Sequence, residues 1–99
     1  MKKITNEQLY TLLNNNSIIL IDIRDADKYI KGHIANSINI PFRYLITNPS
    51  NYLNKKNTYV LICDYGITSN DAANKLSNLG YKVITVLNGI VKWKYGLVI

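Results

Sequence analysis

The sequence predicts an α/β fold: a mostly parallel four- or five-stranded sheet with helices on both faces, three layers in all. Three observations carry this. Ile18–Ile21 and Val60–Ile62 are unbroken aliphatic runs rich in β-branched residues, the pattern of strands buried on both faces. Stretches with apolar residues at helical spacing alternate with the strand-like runs, and the links are short. Ninety-nine residues, 47% of them hydrophobic, suit one domain over residues 1–99. A domain of that size buries roughly two-thirds of its unfolded surface.

The elements follow in order. Ile4 begins a short edge strand. Thr5 and Gln8 have the spacing of a capping box, and Leu9, Leu12 and Leu13 fall at helical spacing behind it. This helix ends in the turn Asn14-Asn15-Asn16, and Ser17 to Asp22 is the first buried strand. Asp25 is placed to cap a short helix, Ala26 to Ile30, stopped at Gly32. Ser37 to Ile40 is a short strand ended by Pro41. Phe42 to Ile46 makes one helical turn, and Pro49 to Leu53 a second, weaker one. Lys55-Lys56-Asn57 is a surface turn into Thr58–Ile62, the central strand. Asn70 to Leu79 is the best helix of the chain. Ala72, Ala73, Leu76 and Leu79 form its apolar stripe, and Gly80 is its C-terminal cap. Tyr81 to Leu87 is another strand. Asn88-Gly89 turns into a last short helix carrying Trp93, and Gly96 to Ile99 is a tail.

Composition excludes several classes. The net charge of +6 comes mostly from scattered lysines, and only Arg24 and Arg43 are arginines. There is no block of like charge and no basic–aromatic interleaving, so no nucleic-acid groove is expected. The lysines read as a solvated surface that still draws in small anions or an acidic partner. Met1-Lys2-Lys3 is basic, but polar Thr5 to Gln8 follow in place of an apolar core, so no signal peptide is expected. The aliphatic runs are too short to span a membrane, and no membrane partner is expected. The single cysteine, Cys63, allows neither an intramolecular disulfide nor a cysteine-built zinc site. A reducing, cytoplasmic setting is the default expectation.

Cys63 stands where the central strand stops, and Gly66 and a helix follow. Ligands of open parallel sheets bind there, outside the carboxyl ends of the strands and facing a helix N-terminus. The loop Asp64, Tyr65, Gly66, Ile67, Thr68 and Ser69 is short enough to curl around the thiol and aim backbone N–H groups at it. Such a cradle and the helix end favour an anion, and the thiolate is the nucleophile. Gly66 allows the positive φ of a tight curl, and Thr68 and Ser69 add hydroxyl donors. Asp64 opposes the anion. At ~8 Å in near-water dielectric its repulsion is only about 0.5 kcal/mol, which several amides outweigh if the carboxylate points to solvent.

These residues sit within a wider pattern. Asp22-x-Arg24, Tyr29, Gly32-His33-Ile34 and Asn39-Ile40-Pro41 come first, then Cys63-x-x-Gly66-x-x-Ser69, then Leu87-x-Gly89 with Trp93. In that order and spacing the motifs resemble those of single-domain rhodaneses, the thiosulfate sulfurtransferase-like family, from Ile4 to Trp93. The resemblance implies the three-layer rhodanese-like fold and a persulfide on Cys63. The sulfane sulfur would come from a small sulfur-containing anion such as thiosulfate. It would pass to a thiol or cyanide acceptor, or to a sulfur-relay protein, without a metal or organic cofactor. Two departures stand out. Many members carry arginine where this chain has Thr68, so a dianion should bind less tightly. The acidic residue often found before the Tyr29 position is Lys28 here, which puts a salt link in doubt.

Other residues invite a role. His33, the only histidine, is expected in a structural turn. Asp22 and Arg24 could line the pocket, and bracing of the loops is the favoured role. Trp93 is expected to anchor the last helix, and Tyr65 at the loop tip is the candidate for specificity. Two rival functions remain. A phosphatase or arsenate-reductase relative would need arginine six residues after the cysteine, where Ser69 stands. A non-enzymatic sulfur carrier or sensor would show little thiosulfate turnover.

Overall fold

The structure is a computed structural model describing residues 2–15 and 17–99. Its strands are β1 (Lys2–Ile4), β2 (Ile18–Asp22), β3 (Ile38–Asn39), β4 (Thr58–Ile62) and β5 (Lys82–Val86). They form one sheet in the order β1-β5-β4-β2-β3, and every neighbouring pair is parallel. The helices are α1 (Asn6–Leu12), α2 (Ala26–Lys31), α3 (Phe42–Thr47) and α4 (Ile67–Asn78), with 3-10 turns at Pro49–Asn51 and Ile90–Lys92. Parallel neighbours need a crossover between them, and the helices supply it.

The sheet separates two cores. On one side Leu45 of α3 and Ala72, Ala73 and Leu76 of α4 pack on Ile21, Leu61 and Val83. On the other, Leu9 of α1 packs on Leu20, Val60, Ile62 and Val86. Side chains of β4 alternate between the two with the period of a strand, and Tyr59 to Ile62 are all buried. Cys63 continues that alternation onto the α3–α4 side.

Local chemistry sets the helix ends. The Thr5 hydroxyl accepts the Gln8 N–H at 3.0 Å, and the Gln8 side chain accepts the Thr5 N–H at 2.9 Å, closing the expected capping box. Asp25 stands at the N-cap of α2, but its side chain does not cap; the carboxylate accepts from Arg43 at 2.6 Å. The best helix begins at Ile67, not Asn70, because Gly66 at φ +91° turns the chain into it directly. Thr68 and Ser69 therefore belong to its first turn. Leu79 leaves the expected stripe: it lies past the end of α4 and is 54% exposed. Trp93 follows the last 3-10 turn rather than riding on it, and packs against the α1-side core and the rings of Tyr10 and Tyr95. The expected tail doubles back, and Val98 makes an antiparallel bridge with His33. Asn16 of the turn after α1, and Met1, lie outside the described residues.

Leu76 is fully buried and Leu79 is not, so the same truncation should have different costs. Leu76→Ala is expected to lose about 2–5 kcal/mol in urea unfolding. Leu79→Ala is expected to stay within about 0.5 kcal/mol of the parent protein. Equal losses would contradict the packing described.

Candidate functional site

Cys63 and Arg24 meet because their strands run in register. Asp22, the last residue of β2, lies opposite Ile62, the last residue of β4. The chains leave the sheet side by side, and the Ile23 N–H donates to the Ile62 carbonyl at 2.9 Å. At this end Cys63 is 5% exposed. Its Sγ accepts the N–H of Gly66 at 3.2 Å and of Ser69 at 3.3 Å. Two amides thus point at the sulfur, one from the loop and one from the first turn of α4, where helical N–H groups lack a carbonyl partner.

The turn after β5 holds the loop from behind. Ile90 N–H donates to the Cys63 carbonyl at 2.9 Å, and Val91 N–H to the Asp64 carbonyl at 3.1 Å. The backbones approach so closely that a Cβ on Gly66 would lie 2.0 Å from the Leu87 carbonyl oxygen. One on Gly89, at φ +72°, would lie 2.5 Å from the Cys63 and Asp64 carbonyl oxygens. Thr85 of β5 completes the support. Its hydroxyl donates to the Ser69 hydroxyl at 2.9 Å, and both residues are buried. Nothing in the Tyr81–Leu87 strand pattern marks Thr85 for this role, beyond being a polar residue on a buried strand.

Asp22 and Arg24 form a buried pair. The guanidinium donates to the carboxylate through Nε and Nη2, the latter at 2.8 Å, and Nη2 also donates to the Gly32 carbonyl at 2.7 Å. That ties the end of β2 to the turn after α2. Burial opposes the Arg24 charge. The Asp22 hydrogen bonds and the fields of Asp22, Asp64 and Cys63 outweigh it, and the guanidinium is held above its ordinary pKa.

Asp64 does not simply face solvent. Its carboxylate accepts from Lys28 Nζ at 2.6 Å and lies 3.9 Å from Arg24 Nη1. The link that an acidic residue at position 28 would make is thus replaced by a different one, with Lys28 as the cation and Asp64 as the anion. The loop itself has no cationic side chain, but Arg24 and Lys28 bring two to it, from the segment after β2 and from α2. Sequence reasoning noted Lys28 only as a departure from the family's acidic residue and did not place it in the site; it is the third residue of α2.

The cleft over the sulfur holds about 370 Å³. Cys63 is at its base and Thr68 on its wall. Arg24, Lys28, Asp25 and Asp64 line it with charge, and Phe42, Tyr65 and Ile67 supply apolar surface. Tyr65 and Ile67 are 66% and 78% exposed, so both stand at the mouth. Gly66 and Ser69 lie behind the sulfur instead of lining the opening. His33 is elsewhere: its Nδ1 is 2.7 Å from the Tyr29 carbonyl and its ring stacks on Tyr29. Among the described residues no group of His, Cys, Asp and Glu side chains is arranged to hold a metal ion. No helix among them is long and apolar enough to cross a membrane.

A five-stranded parallel sheet covered by helices, with a lone cysteine where its central strand ends and α4 begins, defines the class as a three-layer α/β domain. The chain belongs to the rhodanese-like domain family, whose model matches residues 5–95. Thiosulfate sulfurtransferase GlpE of Coxiella burnetii (strain RSA 331 / Henzerling II) is 30% identical to it over 94 residues, 94% of this chain and 87% of that protein. YibN of Escherichia coli (strain K12) is 31% identical over 96 residues, 94% of this chain and 67% of that protein. Among solved structures, a rhodanese-related protein of Thermoplasma volcanium superposes with a TM-score of 0.88 at 33% identity, covering 99% of this chain and 98% of that one. A rhodanese-like domain protein of Staphylococcus aureus does so at 0.89 and 29%, covering 100% and 98%.

The hydrogen bond and field of Asp64 raise Lys28 above the ordinary lysine range. A group raised in the folded state adds stability that is complete below its unfolded pKa and is lost as pH rises through the folded one. Loss of the Lys28 charge should therefore weaken the pair in alkali, above the ordinary lysine range. Side-chain NMR titration is expected to show Lys28 deprotonating above that range, and Asp64→Asn to return it there. An identical titration in the variant would contradict the pairing.

Proposed function

We propose that the protein is a sulfurtransferase that carries a sulfane sulfur on Cys63. The observation that supports this best is the pair of N–H groups, from Gly66 and Ser69, directed at Sγ. In the first step the Cys63 thiolate attacks the outer sulfur of a thiosulfate-like donor. A sulfur–sulfur bond forms to Cys63, the donor's own S–S bond breaks, and sulfite leaves with the electron pair. In the second step a thiolate or cyanide attacks the outer sulfur of the persulfide, and Cys63 leaves as thiolate. Negative charge stays in the cradle throughout, so preorganised donors stabilise it without reorganising. As the charge moves outward by one sulfur, the N–H groups of Ile67 and Thr68 in the first turn of α4 are placed to follow it. Arg24 and Lys28 attract the anionic donor, and Asp25 and Asp64 offset part of that attraction. Tyr65 and Ile67 at the mouth select the acceptor. A cytoplasmic setting, with its pool of small thiols, suits the second step.

Asp64 favours a second reading. A carboxylate on the rim opposes a dianion, and a carrier fed by another protein's persulfide would not need to bind one. Turnover of thiosulfate and cyanide separates the two. The enzyme is expected to turn over and to lose all activity in Cys63→Ser. Reacted without acceptor, it should gain about 32 Da on Cys63, one sulfur atom. A carrier would gain that mass from a protein persulfide while turning over little. Turnover that survives Cys63→Ser would overturn both. A cation added at the loop should tighten donor binding, so Thr68→Arg is expected to lower the KM for thiosulfate; an unchanged or raised KM would count against the charge argument.

A further inference from the structure

We infer that the amino-terminal end of the sheet, opposite the cleft, is a docking surface for an acidic protein. The observation is a separation of charge along the strands. The chain has six carboxylate side chains: Glu7, Asp22, Asp25, Asp27, Asp64 and Asp71. The first five lie where the chain leaves the carboxyl ends of β1, β2 and β4, and Asp71 lies in the second turn of α4, paired with Lys75. No acidic residue occurs at the other end. There the strands begin with Lys2 and Lys3 on β1, Lys55 and Lys56 in the turn into β4, and Lys82 on β5.

β1, β5 and β4 are consecutive in the sheet, which brings these lysines together. Lys82 lies opposite Thr58, and Lys2 opposite Ile84, two residues along β5. With strand spacing and rise, Lys2 and Lys82 are roughly 8 Å apart on one face. Lys55 reaches over from the next turn, its Nζ 5.4 Å from the Tyr81 ring centroid. All five are exposed, and among the described residues none makes an ion pair. The five account for most of the net charge of +6, concentrated on one end of a molecule 32 Å in its longest extent.

Leu79, 54% exposed, and the half-buried Tyr81 lie among these lysines. An apolar centre within a charged rim is the anatomy of a protein contact. The cations are all lysine, without an arginine fork for phosphate or base edges. One leucine and one tyrosine edge are too little to seat in a bilayer. The length of β4, roughly 15 Å, separates this face from Cys63. A partner held here leaves the cleft open, so this face is for attachment and not for sulfur delivery, and it stands whether or not the cleft transfers sulfur.

The test uses a synthetic peptide, Glu-Glu-Leu-Glu-Glu-Leu-Glu, followed by amide NMR on the full chain. Shifts are expected at Lys55, Lys56 and 79–82, and not at 64–69. Lys56→Glu with Lys82→Glu should weaken binding by about tenfold or more. Lys31→Glu with Lys92→Glu changes net charge equally away from this face and should weaken it less than about twofold. The spectra of both variants report whether they fold. The inference fails if the two variants weaken binding equally, if the shifts fall on the cleft, or if the wild-type chain shows none at about 1 mM peptide. It fails equally if phosphatidylglycerol vesicles or duplex DNA displace the peptide from the same lysines, because the face then serves another class of partner.

Discussion

The site depends on the close approach of two backbone turns. The loop after β4 lies against the turn after β5 at distances that leave no room for a Cβ at Gly66 or Gly89. That contact fixes where Cys63 ends and where α4 begins. With the loop held there by Ile90 and Val91, the N–H groups of Gly66 and Ser69 reach the sulfur from one side. A wider spacing between the turns would let the loop relax and the donors turn away. The geometry is thus set by main chain, and the side chains of Thr85 and Ser69 reinforce it.

Magnitudes indicate which charge effect dominates. A hydrogen bond to a charged acceptor contributes about 1.5–3 kcal/mol, and Cys63 has two such donors. The opposing field of an unpaired Asp64 in near-water surroundings is about 0.5 kcal/mol. Lys28 and Arg24 reduce it further by pairing with that carboxylate. The two amide donors at the sulfur therefore outweigh the field of the acid that stands next to it in sequence. Arg24 can sit nearly buried beside this site because Asp22 neutralises it and the Gly32 carbonyl takes another donor. Breaking such a buried pair by removing one partner typically costs about 3–5 kcal/mol, so the pair is structural before it is anything else.

Much of this was legible in the sequence, for definite reasons. β4 was readable because a strand buried on both faces shows no polar alternation, and its limits, Thr58 and Ile62, are those observed. The capping box at Thr5 was readable because both of its hydrogen bonds are local. The place of Cys63 in the fold was readable because the aliphatic run that marks β4 stops at it, with Gly66 and a helix following. What the sequence hid was contact between distant segments. The Lys28–Asp64 pair joins residues 36 apart, and Thr85 of β5 reaches Ser69 of α4, 16 residues away. The start of α4 was set three residues late because Gly66 supplies the turn in one residue, where the sequence suggested a longer loop. Leu79 kept helical spacing but fell past the last turn, where periodicity no longer describes direction.

Membership of the rhodanese-like family sets the frame, and this chain's own residues set its particulars: cations drawn from the segment after β2 and from α2, both next to the Asp64 carboxylate. The most direct measurement follows the amide protons of Gly66 and Ser69 by NMR as sulfur is loaded onto Cys63 from thiosulfate. Both resonances are expected to move downfield together, in step with the mass gain on the cysteine. Sulfur loaded onto Cys63 while both amides stay where they were would show that the charge is held elsewhere.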